Sequence, residues 1–251
     1  MTLRLIAAIV IANLITHAAE YFPYRTNYDL DSDLCRGLAA FRMFSRTFYC
    51  FTNLAISYHL YKRVVLLRES KWKSELATWI IIFGAITPFM LLYYFIGAFH
   101  DTVNRGSCVP GCSNPIYDKV FHFTVSILNI ITMLVAIYVT FAGHRSLNHW
   151  TTYYATYQIE DETEKQGFKH DKTKMAHRSF LYPLSTIIVL SVESVFYFIY
   201  GCGLMINGLI APMIATSGLA GTITAIVFFL DPALWHSSNI AIRKVRNLSK
   251  G

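Results

Sequence analysis

Charge is what this chain has least of. Only 15% of its 251 residues are Asp, Glu, Lys or Arg, against roughly 25% in ordinary soluble domains. Cysteine is scarce as well: five are too few for a disulfide framework, though enough for one bridge outside a membrane. The long apolar stretches lack the alternation of a strand, which argues against a closed β-barrel. Catalytic signatures are missing too. There is no His-Glu-x-x-His, no Gly-x-Ser-x-Gly and no phosphate-cradling glycine loop, and Cys108 and Cys112 have no neighbouring ligand set for zinc. No internal repeat is visible, which weakens an inverted-repeat transporter. The sequence therefore points to no enzyme, no cofactor and no metal.

What is abundant is apolar and aromatic surface. Hydrophobic residues make up 54% of the chain, with 18 Phe, 16 Tyr and 4 Trp, and the mean hydropathy is +0.40. A soluble body of 28.6 kDa cannot hide that much apolar area from water, so lipid is the expected solvent. Crossing a hydrocarbon core takes about 20 helical residues. Six stretches qualify, at 5–22, 36–61, 76–99, 120–142, 180–203 and 209–230. The expected fold is an all-α polytopic membrane helix bundle forming a single domain.

The net charge of +7 is an orientation signal. Alternate flanks of the six stretches hold sixteen lysines and arginines on one side and four on the other, with Arg42 and Arg46 inside the second stretch. Positive flanks stay cytoplasmic, so both ends of this chain and the long connection 143–179 are expected inside. No nucleic acid is implied. Cys35, Cys108 and Cys112 then share the outer side, where disulfides persist. A bridge from Cys35 to Cys108 or Cys112 would tie the outer loop to a helix end; a local Cys108–Cys112 bridge or free thiols is the alternative. Cys50 and Cys202 read as small apolar fillers within spans. The connection 143–179 is either a solvated loop or partly helical and able to dock a cytoplasmic partner. The tail is 235–251.

Charged side chains within spans are costly and usually face the bundle interior or a cavity. Arg42 and Arg46 are one helical turn apart and share a face. From the outer ends of their helices, Arg46 and Glu193 both lie about 15 Å deep, so a buried pair is expected. Arg42 is nearer the mouth, free to contact an anionic or hydroxylated ligand. A helix–helix pair with no ligand role is the competing reading. His122 and Asn129 lie two turns apart on one face; they either contribute to the pocket or make a helix–helix contact. His59 reads as a polar helix end. Pro88 and Pro183 interrupt helical hydrogen bonding and are expected to kink their helices.

Six spans with an outer cysteine at the start of the second become a familiar plan if one helix is missing from the front. The chain then resembles helices two to seven of a seven-helix G-protein-coupled receptor. The finer likeness is to the fungal and amoebal branch of cyclic-AMP-receptor-like and fungal glucose-sensing receptors. It rests on Phe180-Leu181-Tyr182-Pro183-Leu184, on Ala225 to Leu234 running through Asp231-Pro232-Ala233, and on Ile56-Ser57-Tyr58-His59-Leu60-Tyr61. Two rhodopsin-type motifs are absent: Tyr58-His59-Leu60-Tyr61-Lys62-Arg63 replaces Asp/Glu-Arg-Tyr, and no Asn-Pro-x-x-Tyr occurs.

The resemblance implies a plasma-membrane receptor that passes a small extracellular chemical signal to a heterotrimeric G protein. Cys35 would pair with Cys108 or Cys112. Lys62, Arg63, Lys172, Lys174 and Arg178 would contact the G protein, and Arg42, Arg46, Glu193, His122 and Asn129 would surround the ligand. Two rival readings remain. One is a six-span channel or transporter component whose permeation route is lined by Arg42, Arg46 and Glu193. The other is a signal peptide followed by five spans of an accessory membrane protein.

Overall fold

Helix starts and stops in this chain follow from a few residues of recognisable chemistry. The computed structural model describes residues 2–25, 32–66, 68, 72–100, 108–158, 180–204 and 206–230. It contains α1 (Thr2–Arg25), α2 (Asp33–Val64), α3 (Trp72–Phe95), α4 (Pro115–Gln158), α5 (Leu181–Gly201) and α6 (Ile210–Leu230), with a single 3-10 turn at Asn207–Leu209 before α6. No strand occurs among the described residues. Ser32 opens α2, its Oγ accepting the Cys35 N–H at 3.3 Å. Asp33 in the first turn and Lys62 and Arg63 in the last complement the helix dipole. Asn114 opens α4 by accepting the Ile116 N–H at 2.9 Å. Pro115 follows at the first helical position, where its missing N–H costs nothing.

Several expectations are corrected here. The third helix stops at Phe95, short of 99, because Gly97 takes a left-handed backbone (φ 78°) and the Ala98 N–H turns back to the Tyr93 carbonyl at 2.9 Å. The helix expected over 120–142 begins at Pro115 and runs on to Gln158. The first part of the long connection is thus helical, and its remainder, 159–179, lies outside the described residues. Pro183 sits in the first turn of α5, where backbone N–H groups have no helical partner, so it gives no mid-helix kink. Cys202 is not a filler within a span: it caps the end of α5 and is exposed. His59 is not a polar helix end, because its Nε2 meets Thr78 Oγ1 of α3 at 2.9 Å in a buried contact.

Among the described residues, four helical stretches are long and apolar enough to cross a membrane: Trp72–Phe95, Pro115–Tyr153, Leu181–Gly201 and Asn207–Val227. The chain is therefore a multi-pass membrane protein, and its described residues show four such spans where six were expected. Among the described residues α1 shows a shorter apolar stretch, Arg4–Ile15. The shortfall in α2 has a physical cause. Its buried positions include Ser45, Thr47, Thr52, Asn53, Ser57 and His59, so its inner face is polar.

The helices close into a ring in which α1 touches α2 and α6, α2 touches α4, α4 touches α5, and α5 touches α6. α2 also reaches α5 across the ring, and α3 packs on the outside of α2. Leu5, Ile6, Ile9, Ile56, Ile86, Leu128, Val189, Leu190 and Val227 form the main core between them. At the Lys62 end, Leu60, Val139 and Phe180 make a smaller cluster. Arg4 there donates to Glu75 at 3.0 Å and ties α1 to α3. α2 is the hub, and its polar face is where the site lies.

Candidate functional site

The Cys35 end of the bundle holds a cavity of about 110 Å³. Its walls come from α1 (Asn13), α2 (Arg42, Met43, Ser45, Arg46, Tyr49), α5 (Val189, Leu190, Glu193, Tyr197) and α6 (Met213, Ala220). Val109 and Pro110 lean in from the connection between α3 and α4. That connection is fastened at three points. Cys108 is joined to Cys35 in a disulfide with Cα atoms 5.1 Å apart. The Gly111 N–H donates to the Ala98 carbonyl at 2.9 Å, and the Cys112 N–H donates to Asp118 Oδ1 at 3.1 Å. Cys112 is buried and takes no part in the disulfide. Of the pairings left open by the sequence, Cys35–Cys108 is the one formed, and it holds Val109 and Pro110 over the cavity.

Arg46 and Glu193 meet in the cavity wall as an ion pair between α2 and α5. Both are largely withdrawn from solvent, with side chains 17% and 6% exposed. Arg46 Nη1 also donates to the Tyr197 hydroxyl at 3.0 Å, and its guanidinium carbon lies 4.4 Å from the Tyr197 ring centroid. Burying two opposite charges is tolerable only where each is paired and hydrogen-bonded. Here one guanidinium serves a carboxylate and a phenol at once. Arg42, one turn nearer the Cys35 end, lines the same cavity. Asn13 Nδ2 and Arg46 Nε are buried with no hydrogen-bond partner among the described residues. A small polar solute entering the cavity would meet donors from three helices and a carboxylate. That mixture recognises hydroxyl or anionic groups, and Met43, Val189 and Leu190 supply an apolar wall.

The remaining candidates fall in different places. His122 is buried and does not line the cavity; it reaches the ion pair through Tyr197, against whose ring it stacks at 5.4 Å. Asn129 is buried away from the cavity, its Oδ1 accepting from Cys50 Sγ at 3.2 Å, so its contact is between helices. The same polar seam continues between α2, α4 and α5. Thr186 Oγ1 donates to Asn53 Oδ1 at 2.7 Å, and Ser126 Oγ donates to the Ser194 carbonyl at 3.0 Å. Such contacts join helices that apolar side chains alone do not hold in lipid. Lys62 is half-buried and Arg63 exposed at the end of α2. Lys172, Lys174 and Arg178 lie outside the described residues, as does the tail 235–251.

Tyr197, Asn13, Tyr49, Val109 and Pro110 are site residues that the sequence reading passed over. Tyr197 stands four residues after Glu193 and so on the same face. Asn13 is a lone amide in an apolar run. Both signals were present in the sequence. Val109 and Pro110 carry no such signal beyond their position next to Cys108. No group of three His, Cys, Asp or Glu side chains is placed to hold a metal among the described residues. Comparison with protein-family models, with curated proteins and with solved structures finds no match to this chain.

Proposed function

We propose that this chain is a plasma-membrane receptor of the seven-helix, G-protein-coupled kind, resembling its fungal and amoebal branch and comprising helices two to seven. All six helices cross the bilayer in this reading. At 1.5 Å per residue, α1 and α2 are about 36 and 48 Å long, enough for a core of about 30 Å. The polar residues of α2 face the bundle and do not meet lipid. The observation that carries the reading is the roofed cavity at the Cys35 end with a buried Arg46–Glu193 pair joining α2 to α5. A solute that binds there touches two helices whose far ends frame the cytoplasmic face. It can shift a bundle equilibrium only through its different affinity for the two arrangements.

The test is reconstitution of the chain in lipid with a heterotrimeric G protein, challenged with a panel of small sugars and organic anions. Nucleotide exchange that rises with one of them, and is lost in Arg42→Ala, supports the receptor. Solute flux through the protein, with no exchange on any G protein, overturns it in favour of a channel or transporter component.

A further inference from the structure

The cavity wall has a surplus of one kind of hydrogen-bonding group. On the Arg46 guanidinium, Nη1 and Nη2 serve Tyr197 and Glu193, while Nε is buried with no partner among the described residues. On α1, Asn13 Nδ2 is in the same state. Both residues line the cavity, so two helices each bring it an unanswered donor. A buried donor without an acceptor keeps its full desolvation cost, which is why such groups are rare. Water answers either donor but leaves Met43, Val189 and Leu190, the buried apolar side of the same cavity, wetted. A solute with an acceptor head and a short apolar body satisfies both sides at once.

Volume limits how large that solute is. An apolar cavity of about 150 Å³ takes one benzene ring. At about 110 Å³ this one has room for fewer heavy atoms, roughly four or five by the same scale. Hexoses and nucleotides are too large by a factor of about two or more. The roof sets the limit, because Val109 and Pro110 are held over the cavity by the Cys35–Cys108 bridge.

We infer that the cavity binds a short-chain monocarboxylate of acetate or propionate size. Its oxygens accept from Arg46 Nε and Asn13 Nδ2, and its alkyl end lies against Met43, Val189 and Leu190. A carboxylate brings acceptors and no donor, and acceptors are what the two orphaned groups require. Hydrogen bonds from a guanidinium to a carboxylate are also among the strong ones. The bound anion stands near Glu193, whose like charge opposes it. Arg42, whatever else it touches, adds a second guanidinium to the same wall and offsets that repulsion. The inference deepens the receptor reading and takes one premise from it, that the cavity opens to the outer solution.

The experiment uses the whole chain in phosphatidylcholine nanodiscs freed of fatty acid, with propionate as the probe. Saturation transfer from the protein to the propionate methyl protons reads binding, and empty nanodiscs give the blank. A signal that saturates between about 0.1 and 10 mM is expected, the range open to so small a ligand. Acetate is expected to compete, and glucose and octanoate are not. Asn13→Leu keeps the side-chain size and removes the donor, and is expected to weaken binding roughly tenfold or more. Arg46→Gln/Glu193→Gln removes the cation without orphaning its partner, and is expected to abolish binding; it keeps the test available if the α1 variant does not fold. No signal above the blank, competition by glucose or octanoate, or undiminished binding in either folded variant overturns the inference. Propionate bound without nucleotide exchange on any G protein sinks the receptor reading alone. Exchange driven by a sugar, with no propionate bound, sinks this inference alone.

Discussion

Replacing Glu193 by Gln is the sharpest perturbation of the bundle. It leaves the Arg46 guanidinium charged, 17% exposed, and facing a neutral amide where its counter-ion stood. Removing one partner of a buried pair costs about 3–5 kcal/mol, because the orphaned charge keeps its desolvation penalty. The Tyr197 hydroxyl, 3.0 Å from Nη1, offsets only part of that. Converting both residues to Gln removes the charges together, and the loss is expected to shrink to about 1 kcal/mol. The cycle of Glu193→Gln, Arg46→Gln and the double variant is therefore expected to show a coupling of at least roughly 2–4 kcal/mol, the excess of the Glu193→Gln loss over that of the double variant, enlarged by whatever Arg46→Gln costs alone. Reversible unfolding of the purified chain in mixed lipid–detergent micelles measures each corner. A coupling below about 0.5 kcal/mol would refute the reasoning, since the two side chains would then be spending their charge on other partners.

Three other perturbations follow from the same contacts. Non-reducing peptide mapping is expected to recover Cys35 linked to Cys108 and to find Cys112 alkylated only after unfolding; Cys108→Ser should then cost up to about 4 kcal/mol, the chain-entropy figure for a closure of 73 residues. In Gly143→Ala the new Cβ would stand 2.5 Å from the Phe180 ring, so a loss of roughly 1–3 kcal/mol is expected, recovered in Gly143→Ala/Phe180→Ala relative to Phe180→Ala alone. Thr78→Val leaves the His59 ring nitrogen buried without its 2.9 Å partner, for about 1–3 kcal/mol, and His59→Leu/Thr78→Val is expected to be milder than the single change.

The order and rough position of the described helices were legible because long apolar runs stand between basic flanks, although only four of those helices are apolar enough to count as spans. The Arg46–Glu193 contact was legible from depth alone, since a charge in a span must find its opposite at its own level. Helix ends were less so. The stop at Phe95 depends on a left-handed Gly97, and Gly in an apolar run looks no different until the backbone turns. The extension of α4 to Gln158 had no marker either, because His144 to Gln158 is polar without being helix-breaking. Asn129 misled for a related reason. A face shared with His122 fixes the direction of a side chain but not which neighbour lies there, and here that neighbour is Cys50.

Hydropathy ranks α2 below its neighbours, and the packing shows why that ranking inverts its importance. α3 touches only one helix closely and exposes Ile80, Ile81, Leu91 and Phe95, so its composition is dictated by what surrounds the bundle. α2 touches α1, α3, α4 and α5, and its Thr47, Thr52, Asn53 and Ser57 are buried against them. A helix enclosed by other helices has no lipid to satisfy; Thr47 and Asn53 donate to the Met43 and Tyr49 carbonyls of α2 itself, and the contacts that cross to neighbouring helices are Thr186 to Asn53 and Cys50 to Asn129. In a membrane such contacts add cohesion that apolar faces do not, because lipid tails solvate leucine as well as another helix does. The least apolar long helix among those described is thus the one that holds the ring together. Its polar face is also the only surface from which Arg46 can reach Glu193 and Tyr197, so the hub of the fold and the wall of the cavity are one piece of sequence.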